Sequence, residues 1–304
     1  MPTEPLVTLS YFTGLTNVEA AMRFLYRVVD TPAGKKAAYP LRTADNMDID
    51  DSYLLSSRAG TDLKLSGTDC HSLWSNEAQD VCMFVDGETL YELTKAYTSS
   101  SLLFGLVRGA RMSYAEAATR IYLTNGQYIG YYYNHAVTAL SDPNIKFKAP
   151  LPAGQRIAYF KGQVLVARQN VLYISDALCD HYDQRTGYRQ FENYIDMVRP
   201  VDKGVYVSDG KTHFLSAGEN FRRDKVLDTG CIPFTDLTVS GKDIREGLDG
   251  NFAVWTSETG ICIGTPDGQA RCITDSQYSM ESYGHGGAVL RQAGGLNHYI
   301  AAIQ

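Results

Sequence analysis

Short alternating apolar runs, each broken by a glycine-centred turn, dominate the polarity pattern of the chain. The clearest instance is Val81–Leu93, VCMFVDGETLYEL: Val81, Met83 and Val85 alternate with Cys82 and Phe84, Asp86-Gly87 interrupts, and Leu90, Tyr91 and Leu93 resume. β-Branched and aromatic residues on both sides of Asp-Gly predict a β-hairpin, because the tight turn needs a positive φ that glycine adopts at no steric cost. The unit returns at Ala118–Tyr133 (Asn125-Gly126), Arg156–Ser175 (Lys161-Gly162 and Gln169-Asn170) and Gly204–Ser216 (Asp209-Gly210). It returns again at Asn251–Thr274 (Thr259-Gly260 and Asp267-Gly268) and Gly287–Ile303 (Gly294-Gly295). With Gly87, Gly126, Asn170, Gly210, Gly260 and Gly294 as markers, the steps are 39, 44, 40, 50 and 34 residues.

One hairpin is marginal in water. A strand–turn–strand unit returning about every forty residues matches the spacing of β-propeller blades, four-stranded sheets that cover their faces only by stacking on neighbours. The pattern therefore predicts an all-β chain, a single β-propeller domain over 1–304 of about six to seven four-stranded blades. Residues 1–40 would be an N-terminal arm with a short helix, and 41–304 the blades. No tetrapeptide recurs and the Gly-His and Trp-Asp marks of WD40 blades are absent, so an irregular sandwich or barrel is the alternative.

Within the arm, Val7–Thr16 reads as a strand. Asn17–Val29 reads as a helix capped by Asn17, with Ala21, Phe24, Leu25 and Val28 on one side. Val28-Val29 favour strand, which leaves an extended arm as the other reading. Thr31–Lys36, Ala136–Gly154 and Ala177–Asn193 read as loops, and Phe234–Asp249 as a polar connection with a short strand at Leu237–Val239. Val7–Tyr11 is placed to pair beside His298–Ile303 and so remove a free sheet edge.

The 304 residues are 44% hydrophobic and 20% charged, an ordinary globular composition long enough for one propeller. A net charge of −6 argues against a surface that holds nucleic acid by neutralising phosphates, but not against a conduit through which DNA slides. The first residues show neither a basic n-region nor an apolar core of signal-peptide length, and no apolar run approaches the roughly 20 residues of a membrane span. Synthesis and folding in a cytoplasm are expected. The scattered Cys70, Cys82, Cys179, Cys231, Cys262 and Cys272 fit buried free thiols, with Cys262 and Cys272 the one pair placed for a disulfide.

Candidate chemistry is sparse. Asp45, Asp48, Asp50 and Asp51 lack the glycine and closing glutamate of an EF-hand. There is no G-x-S-x-G, and Cys179–Asp183 (CDHYD) packs ligand-type residues without a second cluster at metal spacing. Gly284-His285-Gly286-Gly287 reads as a turn rather than a phosphate loop, and Tyr131-Tyr132-Tyr133 as packing rather than a stacking platform. No catalytic residue, metal ligand or cofactor site is predicted, and the chain reads as a non-enzyme. Two alternatives stand beside that: a receptor- or glycan-binding propeller presenting Trp74 or Trp255, and a propeller-fold glycoside hydrolase.

Three segments carry a family resemblance: YFTGLTNVEA (Tyr11–Ala20), LRTADNMDIDDSYLLSSRAG (Leu41–Gly60) and CHSLWSNEAQDVCMFVDGETLYEL (Cys70–Leu93). Together they resemble tailed-bacteriophage virion proteins of the tail nozzle and packaged-DNA stabilisation type. Asn46, Asp48, Ile49, Arg58 and Gly60 match the family pattern, as does the Asp86-Gly87 hairpin; Thr16 replaces an Asn, and Asp51–Tyr53 lacks the usual glycine. Asn46 and Asp48 suit a turn tied by side-chain-to-backbone hydrogen bonds, and Arg58 suits an anchor to an acidic partner. The resemblance covers about the first 95 residues. It implies a structural tail component in the virion, made in the host bacterial cytoplasm, forming a ring of copies with six-fold symmetry. It further implies contacts with adaptor, connector or other tail proteins, and DNA that passes during genome ejection without specific binding.

Overall fold

The computed structural model describes residues 12–15, 27–41, 47–49, 54–57, 62–117, 119–217, 221–274, 284–293 and 296–303. It is all-β apart from one helical turn, Gly241–Ile244. The chain falls into two compact units. One is Met1–Leu63 with Thr259–Ile261 and Cys272–Glu281; the other is Lys64–Glu258 with Cys262–Arg271 and Ser282–Gln304.

In the first unit, Gly34–Leu41 pairs antiparallel with Arg27–Thr31 and parallel with Phe12–Leu15. Val28 and Val29 are thus strand, which corrects the helix expected there; β-branched side chains lose rotamer freedom in a helix and pack well on a pleat. The predicted Thr31–Lys36 loop is a tight turn, with Thr31 opposite Gly34 and Gly34 at φ +94°. Met47–Ile49 and Leu55–Ser57 form a small hairpin in which Asp48 is opposite Ser56. Asn46, Arg58, Gly60, Val7–Tyr11 and the body of the predicted helix lie outside the described residues.

Five four-stranded antiparallel sheets follow along the rest of the chain, each running strand to neighbouring strand. The first comprises Cys70–Ser75, Cys82–Asp86, Thr89–Leu93 and Ser99–Leu103; the second Ser113–Glu116, Ile121–Thr124, Ile129–Tyr133 and Ala136–Ala139. The third comprises Arg156–Phe160, Gln163–Arg168, Val171–Ile174 and Tyr188–Gln190; the fourth Met197–Val201, Gly204–Ser208, Thr212–Ser216 and Arg222–Leu227. The fifth comprises Leu237–Ser240, Asn251–Ser257, Gly260–Gly264 and Ala270–Cys272. A final hairpin pairs Gly286–Ala293 with Leu296–Ile303. Gly87, Gly126, Asn170, Gly210 and Gly260 all fall at the same place, the turn from second to third strand, so their spacing is the repeat of the sheet itself.

Two expected loops, Ala136–Gly154 and Ala177–Asn193, contain strands. Ala136–Ala139 returns along the second sheet through the Asn134-His135 turn, whose residues both take positive φ. Lys148–Pro150 pairs with His181–Asp183 as a side ribbon, and Tyr188–Gln190 completes the third sheet. Non-glycine turns and three-residue strands give a weak local signal.

Burial explains why the second strands read as continuous apolar runs. Ile121–Thr124 and Gly204–Ser208 are buried at every position, whereas the fourth strands, such as Ala136–Ala139 and Arg222–Leu227, are largely exposed. A strand buried on both faces needs a partner layer on each side. Those layers are the adjacent sheets. Met83, Leu90, Leu123 and Tyr132 join the first to the second; Tyr122, Ile157 and Val166 join the second to the third; Phe160, Leu172, Val205 and Leu215 join the third to the fourth. Tyr206 of the fourth sheet packs on Trp255 of the fifth, ring centroids 5.8 Å apart.

Polar ties cross the same interfaces at nearly the same sequence offset. Met112 N donates to Ser72 Oγ (2.8 Å), Ile157 N to Ser113 Oγ (3.1 Å), and Tyr132 OH to Glu92 Oε1 (3.0 Å). Arg199 Nε donates to Asp236 Oδ2 (2.8 Å) and Thr238 Oγ1 to Pro200 O (3.3 Å). All span 37 to 44 residues.

Candidate functional site

In the first and fourth sheets, the approach to the first strand is fixed by a device that the Asp-Gly motif supplies. Asp86 ends a second strand, and its Oδ1 accepts the backbone N–H groups of Asp69 (2.9 Å) and Thr68 (3.1 Å), just before the first strand of its own sheet. Asp209 does the same in the fourth sheet: Oδ2 accepts Glu192 N (3.2 Å) and Oδ1 meets His213 Nε2 at 2.8 Å. The Asp69 and Thr68 amides hold the Asp86 carboxyl below the ordinary carboxylate range, against the opposing effect of burial. Gly87, at φ +60°, donates its N–H to Asp69 O. Asp86 and Gly87 thus clasp a preceding loop as well as closing a hairpin.

The strands so held line two cavities. The larger, about 740 Å³, is lined by first strands of all five sheets and by Leu290 of the final hairpin. Trp74 stacks on Tyr114 there, centroids 5.2 Å apart, and Glu77, Glu116, Asp202 and Asp243 outnumber Lys161 and Arg199 on its wall. Burial pushes the Tyr114 hydroxyl up, and that hydroxyl has no hydrogen-bond partner among the described residues.

The smaller cavity, about 360 Å³, lies at the loops that lead into those strands. Phe234 organises it. Its backbone takes φ +69°, a conformation a bulky residue rarely adopts, and the Arg156 guanidinium carbon sits 3.5 Å from its ring centroid with that of Arg111 at 5.5 Å. Arg156 is buried, donating from Nε to Asp196 O (2.6 Å) and from Nη1 to Gln155 O (2.9 Å). Arg111 Nη1 donates to Gly286 O at 2.6 Å. Burial lowers both guanidinium pKa values, with Asp236 opposing it at Arg156. Burial raises the Asp196 carboxyl to about 6 against the pull of Arg156, and burial lowers His285.

Sequence reasoning missed this arrangement. Arg111 and Arg156 are 45 positions apart and Phe234 lies in a stretch read as a polar connection; the only available signal was a recurring arginine where a first strand begins. Of the Gly284–Gly287 segment read as a turn, Gly286 and Gly287 are already paired strand residues of the final hairpin, and only Gly284 and His285 precede it, with His285 on the cavity wall.

Other singled-out residues have ordinary partners. In Cys179–Asp183, Asp180 meets Arg120 and the Tyr122 hydroxyl, His181 meets Asp176, and Asp183 meets Lys148 and Arg185. No group of three His, Cys, Asp or Glu side chains placed to share a metal occurs among the described residues. None of the six cysteines is in a disulfide, Cys262 and Cys272 included, and only Cys231 and Cys262 are buried, which corrects the burial expected of Cys70, Cys82, Cys179 and Cys272. Trp255 is fully buried and presents nothing to a glycan, which corrects that half of the binding-face expectation. Tyr132 is core, while Tyr133 is exposed. No helix among the described residues is long and apolar enough to cross a membrane.

No family model and no curated protein sequence matches the chain. Solved structures do. A BBS1N structure in complex with ARL6DN aligns at a TM-score of 0.49 and 11% identity, over 74% of this chain and 71% of that one. The extracellular domain of a one-component system protein from B. thetaiotaomicron aligns at 0.46 and 12%, over 89% of this chain but only 41% of that one. The Neurospora crassa Pan2 WD40 domain aligns at 0.44 and 10%, over 67% of this chain and 64% of that one. A related B. thetaiotaomicron domain is spanned over only 30% of its length.

Proposed function

We propose that the protein is an architectural subunit of a bacteriophage tail: a β-propeller, closed into a ring of blades, whose copies assemble around the tail axis. It contacts adaptor or other tail proteins and borders the route of the genome during ejection, without catalysing a reaction. The observation that carries this reading is the interlock of successive sheets, buried on both faces and pinned by polar ties 37 to 44 residues apart. Such a body transmits load rather than moving around a substrate. The resemblance of the first 95 residues to tail nozzle proteins supplies the particle.

The conduit would be the lumen between copies. A cavity of about 740 Å³ within one chain has the size of a small-molecule pocket and is far too small for a duplex. A net charge of −6 suits a wall that DNA passes without being gripped.

The test is mass spectrometry of purified particles followed by electron microscopy. The chain should be present in stoichiometric amount and its density should lie on the tail axis. Absence from the particle, or density at the periphery, would overturn the proposal.

One observation favours a second reading, a glycan-binding propeller: the Trp74–Tyr114 stack lies on a cavity wall with carboxylates beside it. Binding to a glycan array that Trp74→Ala abolishes would favour it over the first.

A further inference from the structure

We propose that the smaller cavity is a carboxylate-binding site. Two guanidinium groups line it, and neither forms an ion pair with a carboxylate among the described residues. Their bonds go to backbone carbonyls, which leaves Nε and Nη2 of Arg111 and Nη2 of Arg156 without an acceptor among the described residues. Asn125, on the same wall, is 8% exposed; its Oδ1 accepts Tyr128 N (2.8 Å) and Gln127 N (3.1 Å), and its Nδ2 has no partner among the described residues. Buried cations and buried amide donors are costly unless something accepts from them. A planar carboxylate matches the guanidinium fork.

Charge and size narrow the ligand. Asp196 is the one carboxyl on the cavity wall with Arg111 and Arg156, and the nearby Asp236 is already balanced by its ion pair with Arg199, so the wall carries one positive charge in excess when Asp196 is ionised. A monoanion balances it, whereas a phosphate dianion would set surplus negative charge beside Asp196. Asp196 itself makes no side-chain hydrogen bond among the described residues, so a ligand with an N–H next to its carboxylate would also serve it. A volume of about 360 Å³ is that of a small pocket and admits an amino-acid-sized group. The carboxylate could belong to a free acid or to an acidic side chain of a docking peptide; the chemistry at the arginines is the same.

Calorimetric titration of the full chain with N-acetylglycine, with acetyl-Gly-Glu-Gly-amide and with inorganic phosphate tests this. The expected result is saturable binding of one carboxylate probe per chain, weakened at least tenfold in Arg111→Gln and less in Arg111→Lys. The ligand-free melting temperature of each variant reports folding. Where Arg111→Gln does not fold, Asn125→Asp, which keeps the amide-accepting oxygen but adds a negative charge, should abolish binding. Tighter binding of N-acetylglycine identifies a free acid, and tighter binding of the peptide identifies a partner chain. No saturable binding of either, tighter binding of phosphate, or binding unchanged in these variants would overturn the proposal.

Discussion

Asp196 stands half-buried beside Arg156, and its carboxyl is raised to about 6. Burial does this, and the neighbouring Asp209 and Asp236 add to it while Arg156 opposes. Between roughly pH 4 and 6 the folded chain therefore keeps a proton at Asp196 that the unfolded chain has released. The sign follows: stability falls as pH rises through that window and is level above it, so ionised Asp196 is a liability near neutrality. Asp196→Asn should remove the slope. Its unfolding free energy should exceed that of the wild type by a margin that grows from pH 4 to about pH 6 and then holds at about 1–2 kcal/mol after discounting for partial solvent exposure. Calorimetric scans across that range measure it, and a margin independent of pH would refute it. Asp86 has the opposite sense. Its pKa is depressed by the Asp69 and Thr68 amides, so its contribution is present above the ordinary carboxylate pKa and is lost as acid titrates it.

Between elements, what matters is how closely two sheets approach. Gly264 in the fifth sheet lies flat against Tyr206 of the fourth: a Cβ there would come within 2.6 Å of the ring. Tyr206 has nowhere to go, being fully buried with its hydroxyl donated to Gln269 O (2.8 Å) and Thr265 O (2.9 Å). Gly264→Ala should cost about 1–3 kcal/mol, and most of that should be recovered when Tyr206 is shortened to Leu in the same chain. Denaturant midpoints of the two variants decide it; an unaffected single mutant would show that the sheets can separate. Little of this was legible beforehand. Alternation and Asp-Gly turns gave the strands and their period, because those are properties of a few adjacent residues. The fit of Gly264 under Tyr206, or of Phe234 under two arginines, joins residues about 60 to 125 positions apart and leaves no local mark. The strand Met197–Val201 was hidden for a different reason. It contains Pro200, which a strand tolerates only where its missing N–H is not needed.

At the scale of the molecule, five sheets lean on one another in series, so each interface stabilises two neighbours. The chain has two tryptophans, Trp74 in the first sheet and Trp255 in the fifth, and each can report alone after the other is replaced by Phe. The two fluorescence transitions in urea should share a midpoint, because an end sheet that opened would strip one face from the next. Midpoints more than about 1 M apart would mean that the sheets fray independently, since m-values of a few kcal/mol per M make such a gap a difference of several kcal/mol. The forty-residue period was visible in the sequence because every sheet reuses the same turn. The blade count was less so, since the side ribbon of Lys148–Pro150 and His181–Asp183 interrupts the rhythm with strands that belong to no four-stranded sheet.

The outermost strands have a consequence for how the protein behaves in concentrated solution. Tyr188–Gln190, Arg222–Leu227 and Ala270–Cys272 each carry arginine, while Ser99–Leu103 and Ala136–Ala139 carry no charge at all. A charged rim repels a stranger's backbone, and an uncharged one offers it open amides and carbonyls. Among the outer strands of the five four-stranded sheets, unwanted self-association through strand addition, the first step toward fibrils, is therefore favoured at the first two, and a lysine on either rim is the simplest protection.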